Sequence, residues 1–119
     1  MQEVAVLGVG LHRFGKTGDD IVGTKSVTEL CRTAVDMALK DAGVSWKQIQ
    51  AVAAASSRFS GGKGWGLNGN DVVEDLGSTG IPVYNRSAGC AAGGNAFGVG
   101  YWMVAGGIYD MVLVVGGEV

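Results

Sequence analysis

The chain has 119 residues, enough for one modest domain and not two. A composition 47% hydrophobic and 17% charged excludes a disordered chain. A formal charge of -2, with no Lys/Arg run, excludes the basic footprint of nucleic-acid or anionic-lipid binding.

Residues 3–9, EVAVLGV, are a short β-branched run ending near glycine and predict a buried strand. The start lacks the basic n-region of a signal peptide. The stretch GLHRFGKTGDDIVGTK carries scattered charge and glycine and predicts a loop. Ser26 opens a helix, because Ser26 and Glu29 have capping-box spacing. Val27, Leu30, Cys31, Ala34 and Ala38 share its apolar face. Arg32–Asp36 and Asp36–Lys40 are i,i+4 pairs on the polar face, and Gly43 supplies the stop.

VSWKQIQ is a connection with one helical turn. Residues 51–57, AVAAASS, predict a second strand of small residues, and RFSGGKGWGLNG a glycine-rich loop. A helix from Asn70 to Leu76 follows and ends at Gly77. Residues 81–87, IPVYNRS, predict a third strand, with Pro82 near its start where a missing amide is tolerated. Residues 90–106 predict a long helix, and MVLVVGG a strand buried on both faces. The order β-α-β-α-β-α-β predicts an α/β fold with a mostly parallel sheet and right-handed crossovers. Gly93, Gly94, Gly98 and Gly100 each weaken the last helix by roughly 1 kcal/mol against alanine. That helix is therefore expected to be buried on most sides, with its glycines admitting a close neighbour, and Tyr101, Trp102 and Met103 packed in the core.

Glycine is unusual, at 22 residues against one proline, without repeats. Gly8 and Gly10 fail the dinucleotide fingerprint, since the third glycine comes too late. Turn geometry is the expectation for both. Cys31 and Cys90 form no CxxC pair and no Cys/His cluster, so no metal site is expected. Two unpaired thiols fit a reducing compartment, and the expectation is a soluble, cytoplasmic chain with no membrane span.

Cys90 sits in NRSAGCAAGGNAF, between a strand and a helix. Helix-terminal amides and the positive end of the macrodipole favour a thiolate there. The same amides can receive charge developing on a carbonyl oxygen. Buried cysteine is also commonly inert, and position alone leaves the two readings level. Cys31 falls mid-helix on the apolar face, which favours a core role. His12, the one histidine, lies in a polar loop and is expected to be solvated. Arg58, Lys63 and Trp65 suit either a flat or phosphate-bearing ligand or a mobile loop.

DAGVSWKQIQAV after the capped helix, then IPVYNRSAGCAAGGNAF, then YDMVLVVGGEV, resembles the thiolase superfamily. The likeness is strongest to its sterol-carrier-protein-type and lipid-transfer branches. It covers essentially all of residues 1–119, and these match only the first part of such a domain. The resemblance implies an incomplete thiolase-like repeat, and a fragment of a longer chain. It makes Cys90 the acyl-accepting nucleophile, and coenzyme A a substrate rather than a bound cofactor. The implied reaction is thiolysis of a 3-ketoacyl-CoA, or the reverse Claisen condensation. The family's histidine and second cysteine or histidine lie in the second repeat, and His12 and Cys31 match neither. The resemblance also implies a homodimer through residues 81–87. Two alternatives accompany it. One is a retro-aldolase relative acting on a steroid side-chain acyl-CoA with a small OB-fold partner. The other is a non-catalytic lipid-carrier or interaction module.

Overall fold

The computed structural model describes residues 1–57 and 66–119. Arg58, Lys63 and Trp65, in the part of the glycine-rich loop from 58 to 65, lie outside the described residues. Helix α1 spans Val27–Ala42 and α2 spans Gly69–Leu76, while α3 spans Ala92–Ala105. Strands β1 (Ala51–Ala55), β2 (Val83–Arg86) and β3 (Val112–Gly116) form one parallel sheet in the order β2-β1-β3. A single 3-10 turn at Trp46–Gln48 joins α1 to β1.

Local chemistry sets the bounds of α1. The Ser26 hydroxyl accepts from Glu29 N at 3.2 Å, and Glu29 Oε2 accepts from Ser26 N at 2.7 Å. The Ser26 amide, with its hydroxyl beside it, holds the Glu29 carboxyl below its ordinary range. Gly43 closes the helix in the left-handed region at φ 69°. Arg32 pairs with Asp36 at 3.0 Å, as its spacing implies, and also with Asp75 of α2 at 2.9 Å. Among the described residues no ion pair joins Asp36 to Lys40.

The sheet divides two cores. On one face Val52, Ala54, Leu113 and Val115 pack with Val27, Cys31 and Val35 of α1 and Val72 and Val73 of α2. On the other, Ala53 and Ala55 pack with Ala92 and Ala96 of α3, beside Val99 and Val114. The small residues of β1 therefore serve both layers. All of Ala51–Ala55 is buried.

Three expectations change. Residues 3–9 pair with no strand among those described. They run against α1 instead. A side chain on Gly8 would strike Ala38 and Ala42, and one on Gly10 would strike Ala34 and Ala38. Two residues thus cover one helical turn, a rise of about 6 Å, which requires extended backbone running opposite to α1. Close approach, and not turn geometry, explains both glycines.

Secondly, α3 is buried along one stripe only: Ala92, Ala96, Gly100, Met103 and Ala105. Phe97 and Trp102 are 53% and 61% exposed, and Tyr101 packs edge-on to Trp102 at the surface. Of its interior glycines, Gly100 alone has a close neighbour, Val114 Cγ2, 2.7 Å from where a Cβ would stand. Gly93, Gly94 and Gly98 face open space. A helix with no polar face does not announce which side it buries. Thirdly, β3 buries only Leu113 and Val115, with Val112 and Val114 half-buried under α3, because among the described residues β1 is its one strand neighbour.

Candidate active site

Parallel strands bring their carboxyl ends to one side of the sheet, where open α/β sheets hold their ligands. Ala55, Arg86 and Gly116 end the three strands there. The segments that leave them carry Ser57, Cys90 and Glu118. Ser57 N donates to Glu118 Oε1, which ties the exits of β1 and β3 together.

Cys90 stands between β2 and α3 and is exposed. The chain reaches α3 through a tight turn. Gly89 is left-handed at φ 56°, Ala91 N donates to Ala88 O at 3.1 Å, and Ala92 N to Gly89 O at 3.2 Å. Asn95 N donates to Ala91 O at 2.9 Å. Gly93 N and Gly94 N, in the first turn, have no acceptor among the described residues. No side chain among the described residues caps this helix. Helix starts leave such amides unmet unless a cap or ligand takes them. An exposed thiol and two free amides thus share one helix start, with no Cβ on either glycine to obstruct approach.

Asparagines brace this start. Arg86 Nε donates to Asn95 Oδ1 at 2.7 Å, across the turn that carries Cys90. Asn85 Oδ1 accepts from Gly69 N at 2.8 Å, and its amide donates to Asn68 Oδ1 at 3.3 Å. Asn68 in turn caps α2 by accepting from Asn70 N at 3.0 Å. Gly69 fits because a Cβ there would press on Val83 and Ala54. Sequence reasoning did not single out Asn68, Asn85, Arg86 or Asn95 as a network. Their polar side chains at strand and helix ends were the available signal.

The other candidates lie apart from Cys90. Cys31 is 2% exposed in α1, and burial pushes its thiol up to about 11. Its sulfur lies where a side chain on Gly117 would have to go. It is a core residue. His12 is half-buried; its Nδ1 lies 2.7 Å from Arg13 O and its Nε2 3.1 Å from Lys25 Nζ. No hydrogen bond joins His12 to Cys90 among the described residues. Nor do those residues hold three His, Cys, Asp or Glu side chains placed to bind a metal ion. No helix is long and apolar enough to cross a membrane, again among the described residues.

The layered α/β fold is that of the thiolase superfamily, present here as a partial chain. The fold matches that of a crystallised Xanthomonas campestris OleA variant with cerulenin, with a TM-score of 0.65 at 22% identity. That match covers 81% of this chain and 29% of the OleA chain. In sequence the chain is 32% identical over 117 residues to sterol carrier protein 2 of Gallus gallus. It is 50% identical over 50 residues to a mycobacterial beta-ketoacyl-[acyl-carrier-protein] synthase III of Mycobacterium avium, covering 42% of this chain and 15% of that protein. No family model matches the sequence. The alignment to sterol carrier protein 2 takes in 98% of this chain but 20% of that protein, so the chain spans about a fifth of its length.

Proposed function

We propose that residues 1–119 are the N-terminal part of a thiolase-type acyltransferase, with Cys90 as its nucleophile. One observation carries the proposal: an exposed thiol beside the amides of Gly93 and Gly94, unpaired among the described residues, at the carboxyl ends of parallel strands. The substrate is an acyl-CoA, with coenzyme A consumed rather than held as a cofactor.

In thiolysis the Cys90 thiolate attacks the 3-keto carbon, and charge moves to its oxygen. Free amides are suited to receive that charge. The bond between C2 and C3 then breaks. The acyl group stays on sulfur, and the departing acetyl-CoA carbanion takes a proton. Coenzyme A next attacks the thioester and releases Cys90. The acid and base for the proton transfers come from outside residues 1–119, since His12 and Cys31 stand elsewhere. Alone, this chain should turn over little substrate.

The same proposal includes a homodimer through residues 81–87. Its support is β2, an edge strand whose Tyr84, Asn85 and Arg86 are exposed. It also places the chain in the cytoplasm, where two unpaired cysteines stay reduced. The retro-aldolase alternative, with a small OB-fold partner, would use the same strand ends without an acyl-cysteine.

The test is acylation. A complete protein containing these residues, incubated with 3-ketoacyl-CoA, should gain the acyl mass on Cys90, and Cys90→Ser should abolish both the adduct and thiolysis. Thiolysis unchanged in Cys90→Ser would defeat the proposal. Carbon–carbon cleavage retained without an adduct would select the aldolase. The names of the sterol carrier protein 2 relatives favour a second reading, a lipid-carrier module. That reading wins if bound sterol or acyl chain is transferred between vesicles while no acyl-enzyme forms.

A further inference from the structure

Residues 12–25 turn back on themselves ahead of α1. Asp19 holds that turn. Its Oδ2 accepts from Lys16 N at 2.6 Å, and its Oδ1 from Ile21 N at 2.8 Å and Val22 N at 2.7 Å. Gly18 N donates to Gly23 O at 2.7 Å, and Gly23 N to Asp19 O at 2.9 Å. Gly15 lies so close that a Cβ on it would stand 2.7 Å from Asp19 Oδ2. Backbone bonds therefore fix where the turn ends, and they bring Lys25 to face His12.

His12 Nδ1 lies 2.7 Å from Arg13 O, a carbonyl, which only accepts; Nδ1 therefore carries the hydrogen of the neutral ring. That leaves the lone pair on Nε2, and Lys25 Nζ donates to it at 3.1 Å. Lys25 Nζ also donates to Ile21 O at 3.5 Å. Among the described residues Lys25 joins no ion pair. Asp19 is taken by its three amides, and Glu29, near enough to feel the charge on Lys25, is taken by Ser26 N. An amine, a base and a carbonyl that orients the base thus stand in line, which is the arrangement of an activated nucleophile. Beside the ring lies an open cleft of about 710 Å³, walled in part by Leu11, Ile21 and Met37. Those side chains suit an acyl chain, and Arg13 in the same cleft suits a phosphate.

We propose that Lys25 is a site of acylation by acyl thioesters of coenzyme A, with His12 as its base. Lys25 first gives one proton to solvent and becomes the amine. Its lone pair bonds to the thioester carbon, and the extra proton on nitrogen passes to His12 Nε2. The carbon–sulfur bond breaks, and the departing thiolate takes that proton from the ring. The products are an amide on Lys25 and free coenzyme A. This step shares the thioester with the reading of Cys90 and none of its residues.

The test uses the 119-residue chain carrying Cys90→Ser, so that no acyl group passes through that thiol. The chain is incubated with hexanoyl-CoA and its acylated peptides are followed by mass. Lys25 should gain the acyl group at least about tenfold faster than Lys40 and Lys47, which are exposed lysines with no histidine bonded to them. His12→Gly should bring Lys25 down to their rate and leave theirs unchanged. Imidazole added to that variant should restore Lys25 selectively, which a merely structural role for the ring would not allow. Equal rates at the three lysines of the starting chain would overturn the proposal. So would a Lys25 that stays fast in His12→Gly, or imidazole that speeds all three lysines alike. Each of those results would leave acylation of Cys90 in a complete protein untouched.

Discussion

Arg86 Nε donates to Asn95 Oδ1 at 2.7 Å, joining the end of β2 to the first turn of α3. The turn between them carries Cys90. This bond ties together the two elements that flank the thiol. Asn95→Ala should cost about 1 kcal/mol, the usual net value of one such bond. Arg86→Met should cost a similar amount, and the double variant less than the sum. Urea unfolding of the four proteins measures the coupling. Full additivity would show that the two side chains act separately.

The two cysteines should separate in native labelling. Cys90 is exposed and Cys31 is 2% exposed. Iodoacetamide should modify Cys90 in the folded chain and reach Cys31 only after unfolding. Peptide mapping reads both sites. A Cys90 that labels only in denaturant would remove the accessible nucleophile on which acyl transfer depends.

The burial of Cys31 sets an alkaline limit on stability. Its folded thiol lies at about 11 against an ordinary value of 9.0. The folded value is the higher one, so the contribution is fully present below pH 9 and lost as pH rises toward 11. That interval corresponds to about 3 kcal/mol at most. Cys31→Ala should therefore show a shallower fall in the urea midpoint between pH 8.5 and 11 than the parent chain. Equal slopes in the two proteins would contradict this account.

Glycines within α3 should answer differently to alanine. Gly98 faces open space, so Gly98→Ala should stabilise the 119-residue chain by about 1 kcal/mol through helix propensity. Gly100 meets Val114, so Gly100→Ala should destabilise it by about 1–3 kcal/mol through overpacking. Thermal unfolding of the two variants checks the signs. In a longer protein that covers the open face of α3, the gain at Gly98 should become a loss.

Local chemistry made α1 readable: Ser26, Glu29 and Gly43 act within a few residues of themselves, so spacing alone located its ends. Apolar runs bounded by glycine and proline marked β1, β2 and β3, and alternation with helices implied a parallel sheet. The strand–turn–helix setting of Cys90 was equally legible, because it depends on neighbours in sequence. What residues 3–9 do was not. Whether an apolar run becomes a ladder strand depends on a partner edge being in place, and none of the described strands lies beside it. The buried side of α3 was hidden too, because a helix that is apolar all round has no preferred face until Val112 and Val114 meet it. The asparagine brace from Asn68 to Asn95 needed the crossovers to bring two helix starts to one strand end. Short-range hydrogen bonding and periodicity are properties of the sequence; which edges and faces remain open is settled only when distant segments occupy the space around them.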